Sequence, residues 1–395
     1  MARLRIAGPA PGRPTAYRRR VSARDDRPAG GGPGADDAED LHARVLAALR
    51  RTAFLLEREL ASSHRVGAFR AAATTVTRTP ADELARRVAD GSLEQLPGVG
   101  RTTAALVVDA AAGRRPAYLV DLEERQEPLV DPGDEGAAGG AALRAALRGD
   151  LHLHSDWSDG GSPVEDMAVT AVEIGHEYAA LTDHSPRLKV ARGLSPARLR
   201  RQLALLEELA APLAPFRLLS GIECDVLADG SLDQEPELLE ELDVVVASVH
   251  SDLRMERRAM TRRMVRAVRD PRTDVLGHCT GRYVQPRAGV GKARPESEFD
   301  AEEVFAACAE AGVAVEVNAR PERLDPPLRL LRLAVEAGCL FSVDTDAHAP
   351  GQLDWQERGC ARAARCGVPP ERVVNTWPVE DLLAWTADHT HRPGA

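Results

Sequence analysis

The histidines and carboxylates of this chain fall in a pattern that can do metal chemistry. They comprise His152-x-His154 with Asp159, the Asp183-His184 pair, Glu223, His250, His278 and Asp346-x-His348. Imidazole and carboxylate donors without a thiolate suit Zn, Mn or Fe, and donor softness does not choose among the three. So many donors exceed one coordination shell and fit two or three divalent ions, with Glu223 a candidate bridge. Such ions clamp a phosphoryl group and lower the pKa of bound water toward neutrality. The expected reaction is phosphoester hydrolysis by metal-bound hydroxide, with no covalent nucleophile from the protein. The six cysteines (Cys224, Cys279, Cys308, Cys339, Cys360, Cys366) form no C-x-x-C pair, which excludes a zinc ribbon or a thioredoxin-type motif.

Donors spread over nearly 200 positions need a scaffold that gathers them. Seven short apolar runs read as strands: Asp150 to His154, Tyr178 to Thr182, Arg217 to Glu223, Asp243 to His250, Asp274 to His278, Val313 to Asn318 and Cys339 to Thr345. Helical patterns lie between most of them, including Pro196 to Ala210, Glu256 to Val268, Ala301 to Ala311 and Leu328 to Ala337. This alternation predicts a parallel αβ barrel, in which the C-terminal strand ends share one face. The donors sit at those ends. Strand alternation turns His152 and His154 to one side, with Leu151 and Leu153 packing away, and turns Cys224 and Cys279 from the site as packing residues. His176, placed before the second strand, reads as structural.

A length of 395 residues predicts two or three domains, and 44% hydrophobic residues can fill at least one large core. The net charge of -10 argues against a uniformly basic nucleic-acid-coating protein but leaves room for a local basic patch. Arginine outnumbers lysine heavily, Lys189 and Lys292 being the only lysines. With neither an apolar leader nor a run of some eighteen apolar residues, the expectation is a cytoplasmic protein with no membrane partner.

Residues 1–38 read as a disordered Arg/Pro/Gly-rich tail and 389–395 as a second tail, with 119–147, containing DPGDEGAAGG, as a flexible linker. Between them, 39–118 has helical periodicity around LPGVG (Leu96 to Gly100). Gly98 and Gly100 permit a tight turn, and the amides opening the next helix at Arg101 and Thr102 can cradle a phosphate. That is the physics of a helix-hairpin-helix grip on a DNA backbone, and a purely structural hairpin uses glycines in the same way.

The segments DLHLHSDWSDG (Asp150 to Gly160), LTDHS (Leu181 to Ser185), GIECDVLADGSLD (Gly221 to Asp233), LDVVVASVHS (Leu242 to Ser251), DVLGHCTGR (Asp274 to Arg282), VEVNARPERLD (Val315 to Asp325) and DTDAH (Asp344 to His348) resemble the polymerase-and-histidinol-phosphatase (PHP) domain. They look most like the version in bacterial family X DNA polymerases. The resemblance implies that 148–388 is a distorted (β/α)7 barrel, TIM-like, with a trinuclear centre. It implies His152, His154, Glu223 and Asp346 at one ion, Glu223, His250 and His278 at a second, and Asp159, His184 and His348 at a third. It also makes Arg192, Arg282 and Arg320 candidate substrate contacts at the rim, or salt-bridge partners there.

The segments LLERELASSHRVGAFRAAATTV and LPGVGRTTAALV resemble the small all-α helix-hairpin-helix domain that precedes the polymerase palm in the same family. Here only about thirty-five residues separate Arg115 from Asp150, too few for a palm and thumb, so no polymerase activity is expected. Leu106 stands where related domains carry a lyase lysine, which argues against Schiff-base lyase chemistry. The leading expectation is a metal-dependent phosphoesterase acting on gapped DNA or 3′ ends, as a 3′-5′ exonuclease or 3′-phosphatase in repair. The alternative is a small-molecule phosphatase of the histidinol-phosphate type, and a third, non-enzymatic reading is a DNA-end-binding factor with a structural metal site.

Overall fold

The computed structural model describes residues 35–285 and 293–388. The two tails read from the sequence lie almost wholly outside this range. The described chain divides into two compact units, one reaching Leu56 and resuming over Ser62–Arg125, the other comprising Glu57–Ala61 and everything from Gln126 onward.

The first unit is helical: α1 (Ala35–Arg58), α2 (Ser63–Arg78), α3 (Ala81–Asp90), α4 (Arg101–Ala111) and α5 (Ala117–Glu124). Its core is Val45, Leu49, Phe69, Val76, Leu84, Leu106 and Val107, all buried, as the helical spacing of apolar residues requires. Pro80 sits at the start of α3, and Gly91, with φ +74°, ends it in the left-handed conformation that glycine tolerates. Leu106 is thus a core residue.

The second unit is the barrel. Its strands are β1 (Gly149–Leu153), β2 (Tyr178–Leu181), β3 (Arg217–Asp225), β4 (Val244–Ser248), β5 (Val275–Leu276), β6 (Ala314–Asn318) and β7 (Leu340–Asp344). They lie in sequence order, each parallel to the next. A parallel bridge from Leu153 to Ala347, with the His154 amide donating to the Ala347 carbonyl at 2.8 Å, joins the last edge to the first. The helices are α6 (Ala137–Ala146), α7 (Val164–Glu173), α8 (Pro196–Leu213), the single turn α9 (Pro236–Leu239), α10 (Arg257–Val268), α11 (Ala301–Ala311), α12 (Leu328–Glu336), α13 (Gln356–Arg365) and α14 (Val379–Ala387). All seven expected strands are present, in a nearly closed (β/α)7 arrangement.

Strands buried on both faces read as continuous apolar runs because helices cover one side and the barrel interior the other. Ile222, Cys224, Val245, Ala247, Val315, Val317, Phe341 and Val343 pack in one cluster with Met264, Phe305 and Leu331 of the helices. Leu219, Val244, Val246, Val275 and Ala314 form another with Tyr178 and Leu151. Each strand therefore alternates between the two environments. β1 departs from strict alternation: a register irregularity between Asp150 and Leu153 sends Leu151 into the second cluster, while Leu153 joins Met167, Leu181 and Phe216.

The segment expected to be a flexible linker, 119–147, instead contains most of α5 and all of α6. Its glycines serve close packing: a Cβ on Gly140 would fall 2.6 Å from the Cα of Ala361 in α13. Glycine and alanine here let two helix backbones approach, a use that composition alone does not distinguish from flexibility.

Candidate metal centre

At the C-terminal mouth of the barrel, Glu223 leaves β3 fully buried and is surrounded by imidazoles. His278 Nε2 lies 2.7 Å and His250 Nε2 3.1 Å from its Oε1. His184 Nδ1, His152 Nε2 and His154 Nε2 lie 2.8, 3.5 and 3.6 Å from its Oε2. Asp159 lies to one side, its Oδ1 3.3 Å from His184 Nε2 and 3.2 Å from His348 Nε2. Asp346 lies 3.5 Å from His154 Nε2 and 3.4 Å from His348 Nδ1. All nine residues singled out in the sequence thus converge on one pocket, contributed by the ends of β1 to β5 and β7.

Three groups bring ligand-type atoms within 4.8 Å of one another: His154, Asp159, His184 and His348; His152, His154 and Asp346; and His184, Glu223 and His250. The grouping resembles the implied three-ion division but shares His154 and His184 between neighbours, and His278 enters through Glu223.

Burial disfavours ionisation of Glu223, yet the imidazoles of His250, His152 and His184 outweigh it and hold the carboxylate well below its usual range. Asp346 is likewise opposed by burial and held low by Arg320, His154 and Arg323. For His152 burial works against protonation, but Glu316 and Glu223 prevail and raise it well above the ordinary value. His184 follows the same logic with Glu223 and Asp159, rising to about 10. His154, buried and faced by His348 and His184, is pushed down instead. Carboxylates that draw protons onto neighbouring imidazoles make a field that also attracts cations.

Whether the donors fit metal ions is tested by their unmet bonding. Nε2 of His152, both ring nitrogens of His154 and of His250, Nδ1 of His184 and of His278, Oε2 of Glu223 and Oδ1 of Asp159 are buried without a sound hydrogen bond among the described residues. An orphaned buried polar atom costs about 1–3 kcal/mol, and so many in one pocket would be met together by divalent cations. The residues fit the group. Asp346 adopts φ +52°, in the left-handed region that few non-glycine residues enter.

Three buried residues of the site were not legible as site residues. Glu316 of β6 sits 2.6 Å from His152 Nδ1 and accepts from the His278 amide. Arg323 donates to Asp346 at 3.0 Å, and Asp225 lies 3.5 Å from His250 Nδ1. The available signal was an acidic residue inside the apolar run AVEVN, which strand alternation places on the site side with Asn318.

The arginines expected at the rim sit differently. Arg320 is buried inside the site, donating to the Asp346 carbonyl at 2.7 Å and lying 2.9 Å from His348 Nδ1. Arg282 gives its guanidinium to the carbonyls of Arg323 and Leu324 and to Glu296, so it is a brace for the loop after β6. Arg192 is exposed and donates to the Asp156 carbonyl at 3.2 Å. His176 is buried on Gln356 at 3.1 Å, outside the pocket, and Cys224 and Cys279 pack in the apolar cluster beneath the helices.

In the helical unit, Gly98 has φ +73° and a Cβ there would come within 2.9 Å of the Ala71 Cβ, so this glycine is demanded by the turn. Gly100 precedes α4 with open space around it, and its amide donates to Thr103 Oγ1 at 2.9 Å. Arg101 and Thr102 are exposed at the helix start.

Residues 150–320 match the family model described as the PHP domain. The chain is 36% identical over 239 residues to the DNA polymerase/3′-5′ exonuclease PolX of Bacillus subtilis (strain 168), a match covering 60% of this chain and 41% of that one. It is 25% identical over 236 residues to a probable phosphatase of Syntrophotalea carbinolica, covering 57% of this chain and 90% of the relative. A crystal structure of histidinol phosphate phosphatase from Lactococcus lactis, complexed with zinc, L-histidinol and phosphate, aligns with a TM-score of 0.38 at 19% identity, covering 56% of this chain and 95% of that one. No helix among the described residues is long and apolar enough to cross a membrane. Seven parallel strands, a mouth lined with histidines and carboxylates, and the family match agree: the barrel of this chain carries a PHP domain over residues 150–320.

Proposed function

We propose that this protein is a metal-dependent phosphoesterase acting on DNA ends or gaps. The carrying observation is the convergence of nine residues with nitrogen or oxygen donors, Glu223 among them, on one pocket, with the orphaned atoms described above. His152, His154, Asp159, His184, Glu223, His250, His278, Asp346 and His348 would hold two or three ions of Zn, Mn or Fe. When bound, the ions supply Lewis acidity that draws charge from phosphoryl oxygens and makes water a stronger acid. Glu316 orients His152, and Arg320 and Arg323 hold the Asp346 carboxylate in place and ionised. The thiols nearest the site do not compete as nucleophiles: burial pushes both Cys224 and Cys279 well up, and both sit in the apolar cluster.

DNA as substrate is supported by likeness to a polymerase whose name includes a 3′-5′ exonuclease, and by the exposed N-terminus of α4 after Gly100. A second reading, a small phosphate ester of the histidinol-phosphate kind, is favoured by the probable phosphatases matched over most of their own length. The deciding experiment incubates the purified chain with Mn²⁺, or with chelator, on end-labelled gapped DNA and on histidinol phosphate in parallel. Stepwise Mn²⁺-dependent shortening of DNA supports the first reading. Turnover of the small ester with intact DNA replaces it with the second, and inertness toward both rejects the phosphoesterase assignment.

A further inference from the structure

Helix α10 and its flanks carry a concentrated positive charge. Between Arg254 and Arg272 there are eight arginines against Glu256 and Asp270, a net +6 within a chain of net -10. The helix separates its residues cleanly. Met260, Thr261, Arg263, Met264, Ala267 and Val268 are buried against the barrel, whereas Arg258, Arg262, Arg266 and Arg269 are exposed. Their spacings of four, four and three residues put all four on one face. Steps of four residues at ~1.5 Å per residue set neighbouring guanidinium groups about 6 Å apart along the axis.

Two of the four, Arg258 and Arg262, are in no ion pair within 4 Å among the described residues, while Arg266 and Arg269 pair at the surface with Asp229 and Glu310. Exposed pairs of this sort are worth at most about 1 kcal/mol, so a phosphate can displace them. Beside the ridge runs a groove of about 940 Å³ lined by Arg262, Arg266, Arg269 and Arg272.

Helix α10 is tied to the loops after β3 and β4 by a buried residue. Arg263 donates from Nε to the Leu227 carbonyl at 2.8 Å and from Nη1 to the Ser251 carbonyl at 2.9 Å, with Nη2 on the Val226 carbonyl. Those carbonyls lie in the segments that follow β3 and β4, a few residues beyond Glu223 and next to His250. One buried guanidinium therefore holds the helix to the two loops at the pocket's edge.

We propose that the arginine ridge of α10 is a phosphate-backbone track that holds a DNA strand beside the mouth of the metal centre. This rests on the DNA reading above and assigns the surface of the barrel that grips the strand. A regular row of always-charged, fork-shaped donors matches a polyanion of regular charge spacing, and contacts to phosphate carry no sequence information, so binding through them is strong at low salt and indifferent to sequence.

The test compares the full chain with Arg258→Ala/Arg262→Ala and with the charge reversal Arg258→Glu/Arg262→Glu. Affinity for a gapped duplex is titrated across salt concentrations, with hydrolysis of a small chromogenic phosphoester and thermal melting measured alongside. Each phosphate contact contributes roughly 0.9 to the slope of log K against log salt, so the alanine pair should lower that slope by about 2. The reversal should weaken binding further, and small-ester turnover and melting should stay as in the parent chain. Unchanged DNA affinity and slope in both variants, with a parent that cleaves DNA, overturns the track and leaves the DNA reading standing. A parent that hydrolyses the small ester but neither binds nor cleaves DNA overturns both. Loss of binding to polyglutamate with DNA binding intact also overturns the track, in favour of an acidic protein partner.

Discussion

Oε1 of Glu316 lies 2.6 Å from Nδ1 of His152, a residue 164 positions earlier in the chain, and the other nitrogen of that ring is turned toward Glu223. The second oxygen of Glu316 takes the His278 amide. One carboxylate thus touches two of the candidate metal-binding histidines, one through its ring and one through its backbone amide. Because such partners fix the tautomer and raise the basicity of a ligating imidazole, Glu316→Gln should weaken metal binding about 10–100-fold. Competition against a coloured chelator measures this, and an affinity equal to the parent's would show that His152 needs no orienting partner.

The same pocket predicts what happens when metal is withdrawn. Ions bound only by the folded state stabilise it by mass action, by about 4 kcal/mol at a thousandfold excess over the dissociation constant. Chelated protein should therefore melt at a lower temperature and recover on adding Mn²⁺ or Zn²⁺. A melting curve indifferent to chelator and to added ions would contradict the assignment of the orphaned nitrogens and oxygens to metal.

Asp346→Ala and His154→Ala should each abolish phosphoester hydrolysis while the chain still binds DNA through its other surfaces. His154 stands in two of the donor groups and Asp346 in one, so either change opens a coordination shell. Turnover assays paired with gel-shift titrations check this, and full activity in both variants would remove these residues from the centre.

The two glycines of the α3–α4 turn should part company. Gly98→Ala forces a left-handed residue at a cost of about 1–2 kcal/mol and drives a methyl into Ala71, so it should lower the melting temperature of the helical unit. Gly100→Ala meets no atom within 4 Å and should melt like the parent, so any loss of DNA affinity in it reports the α4 amides directly. If both variants bind DNA as the parent does, the turn is structural only.

His176 supplies a pH dependence independent of the metal centre. Burial, aided by the charge of Arg144, pushes its pKa down to about 3. An unfolded chain takes up this proton near pH 6.5, the folded one only far below. The folded state therefore holds its full advantage above about pH 6.5 and loses it as pH falls toward 3, at up to ~1.4 kcal/mol per unit. Urea titrations of the parent and His176→Gln should diverge by about 2 kcal/mol in pH sensitivity between pH 6.5 and 5. Parallel curves would place the proton uptake elsewhere.

Much of the barrel and its donors was legible in the chain itself. Short β-branched runs buried on both faces, separated by helical periods, specify parallel strands, and a parallel arrangement brings every C-terminal strand end to one face. The nine donors could be singled out because histidines and acids at the ends of apolar runs stand out against them. The glycine of a tight turn, Gly98, was legible for the same local reason: backbone conformation depends on neighbours a few residues away.

What sequence did not disclose depends on distance in the fold. Glu316 reads as one acid in a strand until β6 is seen to place it against a histidine of β1. Arg320 and Arg282 read as rim contacts until their guanidinium groups are found engaged with Asp346 and with the carbonyls after β6. The glycines around Gly140 read as part of a flexible linker, and only the approach of Ala361 shows that they pack two helices together. Periodicity and residue type are local and survive in the one-dimensional chain, whereas the partner of a buried charge or a missing Cβ is chosen by elements distant in the chain, which only the folded barrel brings into contact.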